Sequence, residues 1–322
     1  MQLTAFTFWE KSEPKQVKEE NGMAKDRQTS EGHRDGPDSG SRRSNGPEGG
    51  AADGRGNGKT ALVTGGSRGI GRGIAIALAM AGYKLAITHW QDDVHAAEAA
   101  ERIRAASGQE CLVLPGNLAE PGVAERTAEQ AIAGLGTIDV LVNNAGVTLK
   151  DPVERLPTWK LDHLIQLNFR SPLILMRELS AHMIDAGIRG NILNITSSRA
   201  ERAYPGDAVY GGLKAGLKRA SESAALDLAP YGIRVNCLAP GATLVREGME
   251  PYEGVGRQVP LGRMGTPEDM GRIAAWLVSD AASYVTGITL RADGGLILPG
   301  MPEDGVSVWG SLAKTEMKGR EV

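Results

Sequence analysis

Cysteine is nearly missing from this chain: among 322 residues there are two, Cys111 and Cys237. They lie far apart and no metal-ligand spacing surrounds them, which excludes a disulfide framework and points to a reducing cytoplasm. A surplus of one charge sign is missing too. Lys and Arg number 36 against 39 Asp and Glu, a net charge of −3. No global positive field therefore marks a nucleic-acid partner or an anionic membrane surface. No apolar run is long enough to span a bilayer. The start of the chain carries Phe6, Phe8 and Trp9 but lacks the basic segment and apolar core of a secretory leader. His89, His95, His163 and His182 show no metal spacing, so no metal is expected. No internal repeat is evident.

What is present is ordinary for a soluble globular protein, with 41% hydrophobic and 23% charged residues. The ends read differently from the middle. Residues 31–58 are mostly Gly, Ser, Arg, Asp, Asn and Pro, which bury too little apolar surface to offset their ordering entropy. Residues 1–58 are therefore expected to form a disordered extension. Its charges are mixed in sign, so it is not a basic arm, and Met23 is an alternative start. Residues 299–322 read as a tail. Between them, residues 59–298 have a normal size for one α/β domain. Strands are expected at 60–64, 84–88, 110–114, 139–142, 191–196, 234–238 and 288–291. Helices are expected at 70–81, 94–106, 123–133, 159–186, 208–229 and 268–279. Short buried strands alternating with helices predict an α/β fold: a single Rossmann-type, doubly wound parallel sheet of about seven strands, with helices on both faces. Ligands then bind at the carboxyl ends of the strands.

The first strand runs into Thr64-Gly65-Gly66-Ser67-Arg68-Gly69-Ile70-Gly71. Glycines allow a tight turn and close approach of a pyrophosphate, and the following helix N-terminus offers free N–H groups and a positive dipole end. A glycine cluster alone also suits a plain structural turn. Its place after a strand and before a helix favours dinucleotide binding. The spacing is G-x-x-x-G-x-G rather than G-x-G-x-x-G.

That spacing resembles the short-chain dehydrogenase/reductase family, and further motifs follow in the family's order. Asn143-Asn144-Ala145-Gly146 closes the fourth strand, Asn168 lies in the long helix, and Ser197 ends the fifth strand. Tyr210-Gly211-Gly212-Leu213-Lys214 matches Y-x-x-x-K, thirteen residues after that serine, and Pro240-Gly241 follows the sixth strand. Residues 282–290 and 292–295 look most like glucose 1-dehydrogenases and 3-oxoacyl-carrier-protein reductases. The resemblance implies an NAD(P)-dependent oxidoreductase acting on a carbonyl or secondary alcohol, with a sugar, a 3-oxoacyl thioester or another small ketone as substrate. It implies catalytic roles for Asn168, Ser197, Tyr210 and Lys214. It places the cofactor against Gly65, Ser67, Arg68, Gly69, Ile70, Gly71, His89, Asn117, Leu118, Asn143, Ala145, Gly146, Tyr210, Lys214, Pro240, Gly241 and Thr243. Tyr210 and Lys214, four apart on a helix, share a face. A nearby ammonium and the positive nicotinamide ring favour the phenolate, so the tyrosine serves as acid or base. By resemblance Ser197 holds the substrate oxygen, Lys214 grips the nicotinamide ribose, and Asn168 positions a water that relays protons to Lys214. Each residue alone also has an ordinary reading, as a surface pair, a strand end or a polar helix residue. A homotetramer is the family's common assembly.

Several positions depart from the pattern. Asn117 stands where an Asp is frequent, and Val245 where a Thr often holds the nicotinamide carboxamide, with Thr243 nearby. Residues 244–259 are expected to form the substrate lid. Glu201 reads equally as a polyol ligand or a solvated loop acid. The second strand ends in Thr88-His89-Trp90 with no acid at its tip, and Arg68 is available to a 2′-phosphate. This leans toward NADP over NAD, with Asp92 and Asp93 counting against it. The competing function is a non-catalytic NAD(P)-binding sensor or scaffold on the same fold. Proteins of that kind typically lose the tyrosine or the lysine, and both stand here.

Overall fold

Seven short strands form one parallel sheet: β1 (Thr60–Val63), β2 (Lys84–His89), β3 (Cys111–Pro115), β4 (Val140–Asn143), β5 (Asn191–Ile195), β6 (Arg234–Pro240) and β7 (Thr289–Ala292). Their order is β3-β2-β1-β4-β5-β6-β7. The chain leaves β1 in one direction to β2 and β3, then returns to lay β4 on the other side of β1. The topological switch point thus falls between β1 and β4. The computed structural model describes residues 58–245 and 253–299, with Gly56. The extension expected over 1–58, apart from Gly56 and Gly58, and the tail expected over 299–322, apart from Pro299, lie outside the described residues. So do residues 246–252 of the expected lid.

Alternation along each strand assigns the two faces. Leu62, Ala86, Leu141 and Ile192 pack one way, against residues of α3 (Val123–Leu135), α5 (Ser171–Asp185) and α6 (Ala208–Leu228). Their neighbours Ala61, Val63, Val140, Val142, Leu193 and Ile195 pack the other way, against α1 (Gly69–Met80), α2 (Asp93–Ser107) and α8 (Pro267–Val278). Each fully buried Leu or Ile in these layers contributes about 1.5–3 kcal/mol relative to exposure. Asp139 ties β1 to β4 at their amino ends, its carboxylate accepting from the Thr60 N–H at 2.8 Å and the Thr60 hydroxyl at 3.0 Å. Among the described residues no helix is long and apolar enough to cross a membrane.

The helix expected over 159–186 is not continuous. It runs as α4 (Thr158–Ile165), one π turn over Gln166–Arg170, and then α5. Pro172 has no N–H to donate back to the Asn168 carbonyl, so the regular ladder lapses there. The π turn marks the position of Asn168, which is fully buried. A short α7 (Glu253–Gly256) precedes α8.

Candidate active site

The glycine turn crosses the carboxyl end of the sheet at the switch point. Gly65 and Gly69 take φ of +62° and +54°, which a side chain would strain. A Cβ on Gly71 would lie 2.1 Å from the Gly65 carbonyl oxygen, so the turn closes only around glycine. Neighbouring strands pin it. The Asn144 amide donates to the carbonyls of Thr64 (2.9 Å) and Gly65 (3.0 Å). The Thr64 hydroxyl accepts from the backbone N–H groups of Asn144 (2.9 Å) and Ala145 (3.0 Å). The Gly65 N–H donates to the Thr88 hydroxyl at 3.0 Å. The turn thereby presents the N-terminus of α1 to the cleft, the arrangement that receives a pyrophosphate. Gly65, Ser67, Arg68, Gly69, Ile70, Gly71, Ala145 and Gly146 lie along this one edge.

Next to it stands a group of buried polar side chains. Lys214 is 4% exposed, and its ammonium donates to the Ile195 carbonyl at 2.8 Å. Asn168 uses its NH₂ group on the carbonyls of Val147 (3.1 Å) and Leu164 (3.2 Å), while its Oδ1 is buried without a partner. A Cβ built on Gly146 would fall 2.5 Å from that Oδ1 and 3.5 Å from Lys214 Nζ. The bare glycine therefore keeps open the space between an unsatisfied acceptor and an ammonium, a setting suited to a bridging water. Lys214 lies 5.7 Å from the centre of the Tyr210 ring. The Ser197 oxygen accepts from the Arg199 N–H at 3.2 Å, and its hydroxyl adjoins the Tyr210 phenol.

Burial and neighbouring groups act on both Tyr210 and Lys214. Burial pushes the Tyr210 phenol above its ordinary value, while the adjoining Ser197 hydroxyl and Arg199 guanidinium pull it back. Burial also pushes the Lys214 ammonium down to about 8, weakly opposed by Cys237. Both groups are desolvated together, so each loses stability in its charged form.

Other expected cofactor residues have side chains committed elsewhere. Asn143 donates to Asn194 Oδ1 (2.9 Å) and the Pro172 carbonyl (3.3 Å), in a buried network that continues from Asn194 to the Ser221 hydroxyl at 2.8 Å. Asn117 closes its own turn, accepting from the Ala119 N–H at 3.1 Å and donating to Glu120 at 3.1 Å, and Leu118 is buried in the core. Thr243 is buried with its hydroxyl on the Gly241 carbonyl at 3.2 Å. Gly241 packs on Asp293, and Pro240 ends β6 beside it. Val245, not Thr243, comes up against Gly69, its Cβ 3.2 Å from where a Gly69 side chain would begin. His89 is buried at the end of β2, its Nε2 3.8 Å from Asp93. Glu201 is tied to Lys218 at 3.1 Å and Arg291 at 2.9 Å, which leaves little of it for a polyol. Sequence reasoning passed over Asn144, Thr64 and Thr88, which fasten the turn. The doubled Asn143-Asn144 was the available signal for the first of these. It also passed over Arg199 and Asp207 beside Tyr210.

Comparison with known proteins agrees with this geometry. A family model described as enoyl-(acyl carrier protein) reductase matches residues 65–297. Glucose 1-dehydrogenase 2 of Bacillus subtilis is 34% identical over 252 residues, covering 75% of this chain and 95% of that protein. A 3-oxoacyl-(acyl-carrier-protein) reductase of Staphylococcus aureus is 34% identical over 244 residues, covering 74% and 98%. Among solved structures, a Serratia marcescens short-chain dehydrogenase/reductase superposes with a TM-score of 0.70 at 34% identity, covering 74% of this chain and 98% of that one. An acetoin dehydrogenase of Salmonella typhimurium superposes with a TM-score of 0.72 at 31% identity, covering 77% and 99%. With its switch-point glycine turn and the ordered Asn168, Ser197, Tyr210 and Lys214, the chain belongs to the short-chain dehydrogenase/reductase family of NAD(P)-dependent oxidoreductases acting on alcohol and carbonyl groups.

Proposed function

We propose that this enzyme moves a hydride between NAD(P) and a small uncharged ketone or its secondary alcohol. In this reading Tyr210 exchanges the proton of the substrate oxygen, Ser197 holds that oxygen, Lys214 holds the cofactor ribose, and Asn168 orders a water behind Lys214. The observation that carries it is the convergence of Asn168 Oδ1 and Lys214 Nζ on the bare Gly146, beside Tyr210 and the glycine turn. When bound, NAD(P) supplies the hydride exchange and, oxidised, a positive ring that offsets the burial cost of the phenolate. An uncharged substrate is favoured because the Arg199 guanidinium beside Tyr210 is already paired with Asp207 at 3.2 Å. Sugars and 3-oxoacyl thioesters, suggested by the glucose 1-dehydrogenase and carrier-protein reductase relatives, are the competing classes. The test is NADH and NADPH oxidation at 340 nm against short ketones, acetoin-type hydroxyketones and 3-oxoacyl thioesters, beside NAD(P) reduction with glucose and polyols. Turnover confined to thioesters or sugars sinks the small-ketone reading. Measurable cofactor binding without turnover on any class favours the sensor reading instead.

Within this reading the cofactor preference is NAD. The lean toward NADP rests on the missing acid at the tip of β2 and on Arg68, but in the fold the turn side chains Ser67 and Arg68 both lie against Asp92. The Ser67 hydroxyl donates to it at 2.7 Å and Arg68 lies 3.6 Å away. Burial works against charge on Asp92, but hydrogen bonds from Ser67 and His95, with Arg68 beside them, outweigh it and hold the carboxyl below its ordinary range. An ionised carboxylate there accepts ribose hydroxyls and repels a phosphate. Asp92→Asn is expected to raise the NADP/NAD ratio of kcat/KM about tenfold, or about 1.4 kcal/mol. A wild type that prefers NADP and loses the preference in Arg68→Ala returns the choice to Arg68.

A homotetramer is proposed for the assembly, supported by large apolar side chains left in solvent. Trp159 and Leu226 project from α4 and α6, and Tyr284 and Ile288 stand just before β7. Light scattering is expected to give four times the chain mass, and a monomer mass overturns the assignment. The two free cysteines, Cys237 buried and Cys111 partly so, support a cytoplasmic setting.

A further inference from the structure

Arg199 follows Ser197 by two residues, in the short turn Ser198–Ala200 after β5, and has no part in the chemistry assigned so far. Its position is built rather than incidental. The guanidinium donates to Asp207 Oδ1 at 3.2 Å and to the Thr148 hydroxyl at 3.3 Å. It lies 5.4 Å from the centre of the Tyr204 ring and 5.8 Å from the centre of the Tyr210 ring. Asp207, the residue just before α6, is buried, so the anchor is fixed at the base of the helix that carries Tyr210 and Lys214. Two cations thus lie within 6 Å of the Tyr210 ring, one from its own helix and one from the turn after β5. A cation at that distance from an aromatic ring is attracted to the neutral ring and more strongly to its phenolate.

We propose that Arg199 is a positioning residue for Tyr210: held by Asp207 and Thr148, its guanidinium stabilises the phenolate form, and Asp207 sets how much of that charge Tyr210 feels. The proposal rests on reading Tyr210 as the acid/base. When the alcohol is oxidised, its O–H proton passes to the phenolate oxygen as the hydride leaves carbon for the cofactor. The phenolate must exist before that step, in a place whose burial disfavours it. Burial makes Lys214 lose its charge above about pH 8, whereas a guanidinium stays protonated. The groups facing Tyr210 come from two directions. From α6 and its start come Lys214 and Asp207, and from the end of β5 and its turn come Ser197 and Arg199. Behind them Lys150 acts on Asp207, and Cys237 acts on Lys214. Arg199 draws Tyr210 toward ionisation and Asp207 draws it away.

This makes a prediction of opposite sign for two variants that a purely structural brace would affect alike. In Arg199→Met, the midpoint of the kcat/KM pH profile for alcohol oxidation is expected to move up by about one pH unit. In Asp207→Asn it is expected to move down, because the guanidinium then acts unopposed, and Arg199→Lys is expected to keep the wild-type midpoint more closely than Arg199→Met. Phenolate absorbance at 295 nm, titrated as the difference between each protein and the same protein carrying Tyr210→Phe, reads the same ionisation without turnover. Equal midpoints in wild type and Arg199→Met by both readouts overturn the proposal, as does movement of Asp207→Asn in the same direction as Arg199→Met. If Tyr210→Phe retains turnover, the acid/base reading fails on its own. The absorbance titration then still decides whether Arg199 governs the Tyr210 charge.

Discussion

Tyr210→Phe is expected to lower kcat/KM by about 10²–10⁴-fold while leaving NAD(H) affinity within a factor of about two. The substitution removes one oxygen and keeps the ring. The ring's contacts with Arg199 and Lys214 therefore survive, and the glycine turn, which Tyr210 does not touch, is untouched. What is lost is the atom that exchanges a proton with the substrate oxygen. Without it, reduction would leave an alkoxide with only the Ser197 hydroxyl to donate to it, and oxidation would leave a protonated carbonyl with no base to take its proton. The measurement is paired: initial rates at 340 nm with the substrate class found for the wild type, and fluorescence titration with NADH. Retained turnover sinks Tyr210 as the acid/base. Lost NADH binding points instead to a disturbed cleft, and then the rate says nothing about proton transfer.

How much of this could be read in the sequence follows from the range of the forces involved. The sheet was legible because its central strands are buried on both faces and so read as short apolar runs, and because the βα alternation admits few topologies. The glycine turn was legible because its chemistry is local: Gly65, Gly69 and Gly71 are needed for reasons that involve only the next few residues. The break in the long helix was less so, although Pro172 marked it, because one π turn interrupts the helix without a loop between α4 and α5. Contacts between distant segments were not legible at all. The doubled Asn143-Asn144 marks Asn144 as special, but does not say that its amide fastens Thr64 and Gly65, 79 to 80 residues away. Likewise Asp92 read as a repeller of phosphate after β2, whereas its hydrogen bond to Ser67, 25 residues distant, makes it part of the turn. The electrostatics were the hardest to foresee. Spacing puts an ammonium next to a phenol, but burial, which no spacing reveals, moves both groups toward neutrality.

That burial has a measurable consequence for stability. Lys214→Met is expected to abolish most turnover and yet raise the melting temperature at pH 7. The ammonium is held at about 8 in the fold against 10.5 for an exposed lysine, a difference that corresponds to about 3 kcal/mol. The sign follows from proton binding. Between pH 8 and 10.5 the unfolded chain binds a proton at this site that the folded chain lacks. Stability at Lys214 therefore rises with pH across that window, and below it the whole cost of burying the charge is present. Methionine keeps most of the stem's volume and removes the charge, at the expense of leaving the Ile195 carbonyl without its 2.8 Å donor, a loss of about 1–2 kcal/mol. The balance at pH 7 is a gain of about 1–2 kcal/mol, or roughly 2–6 °C for a domain of this size. Melting curves of both proteins at pH 7 and pH 10 check it. The gap should be positive at pH 7 and should shrink or reverse at pH 10, where the wild-type lysine no longer pays for its charge in the folded state. Tyr83 and Cys111, both pushed up to about 12 by burial, favour unfolding as the pH climbs, but they do so equally in the two proteins and cancel from the comparison. A variant less stable by the same amount at both pH values would mean that the Ile195 hydrogen bond outweighs the buried charge. The expected result instead makes Lys214 a residue kept for its action on the cofactor and on Tyr210 against the stability of the fold, a trade-off common at active sites.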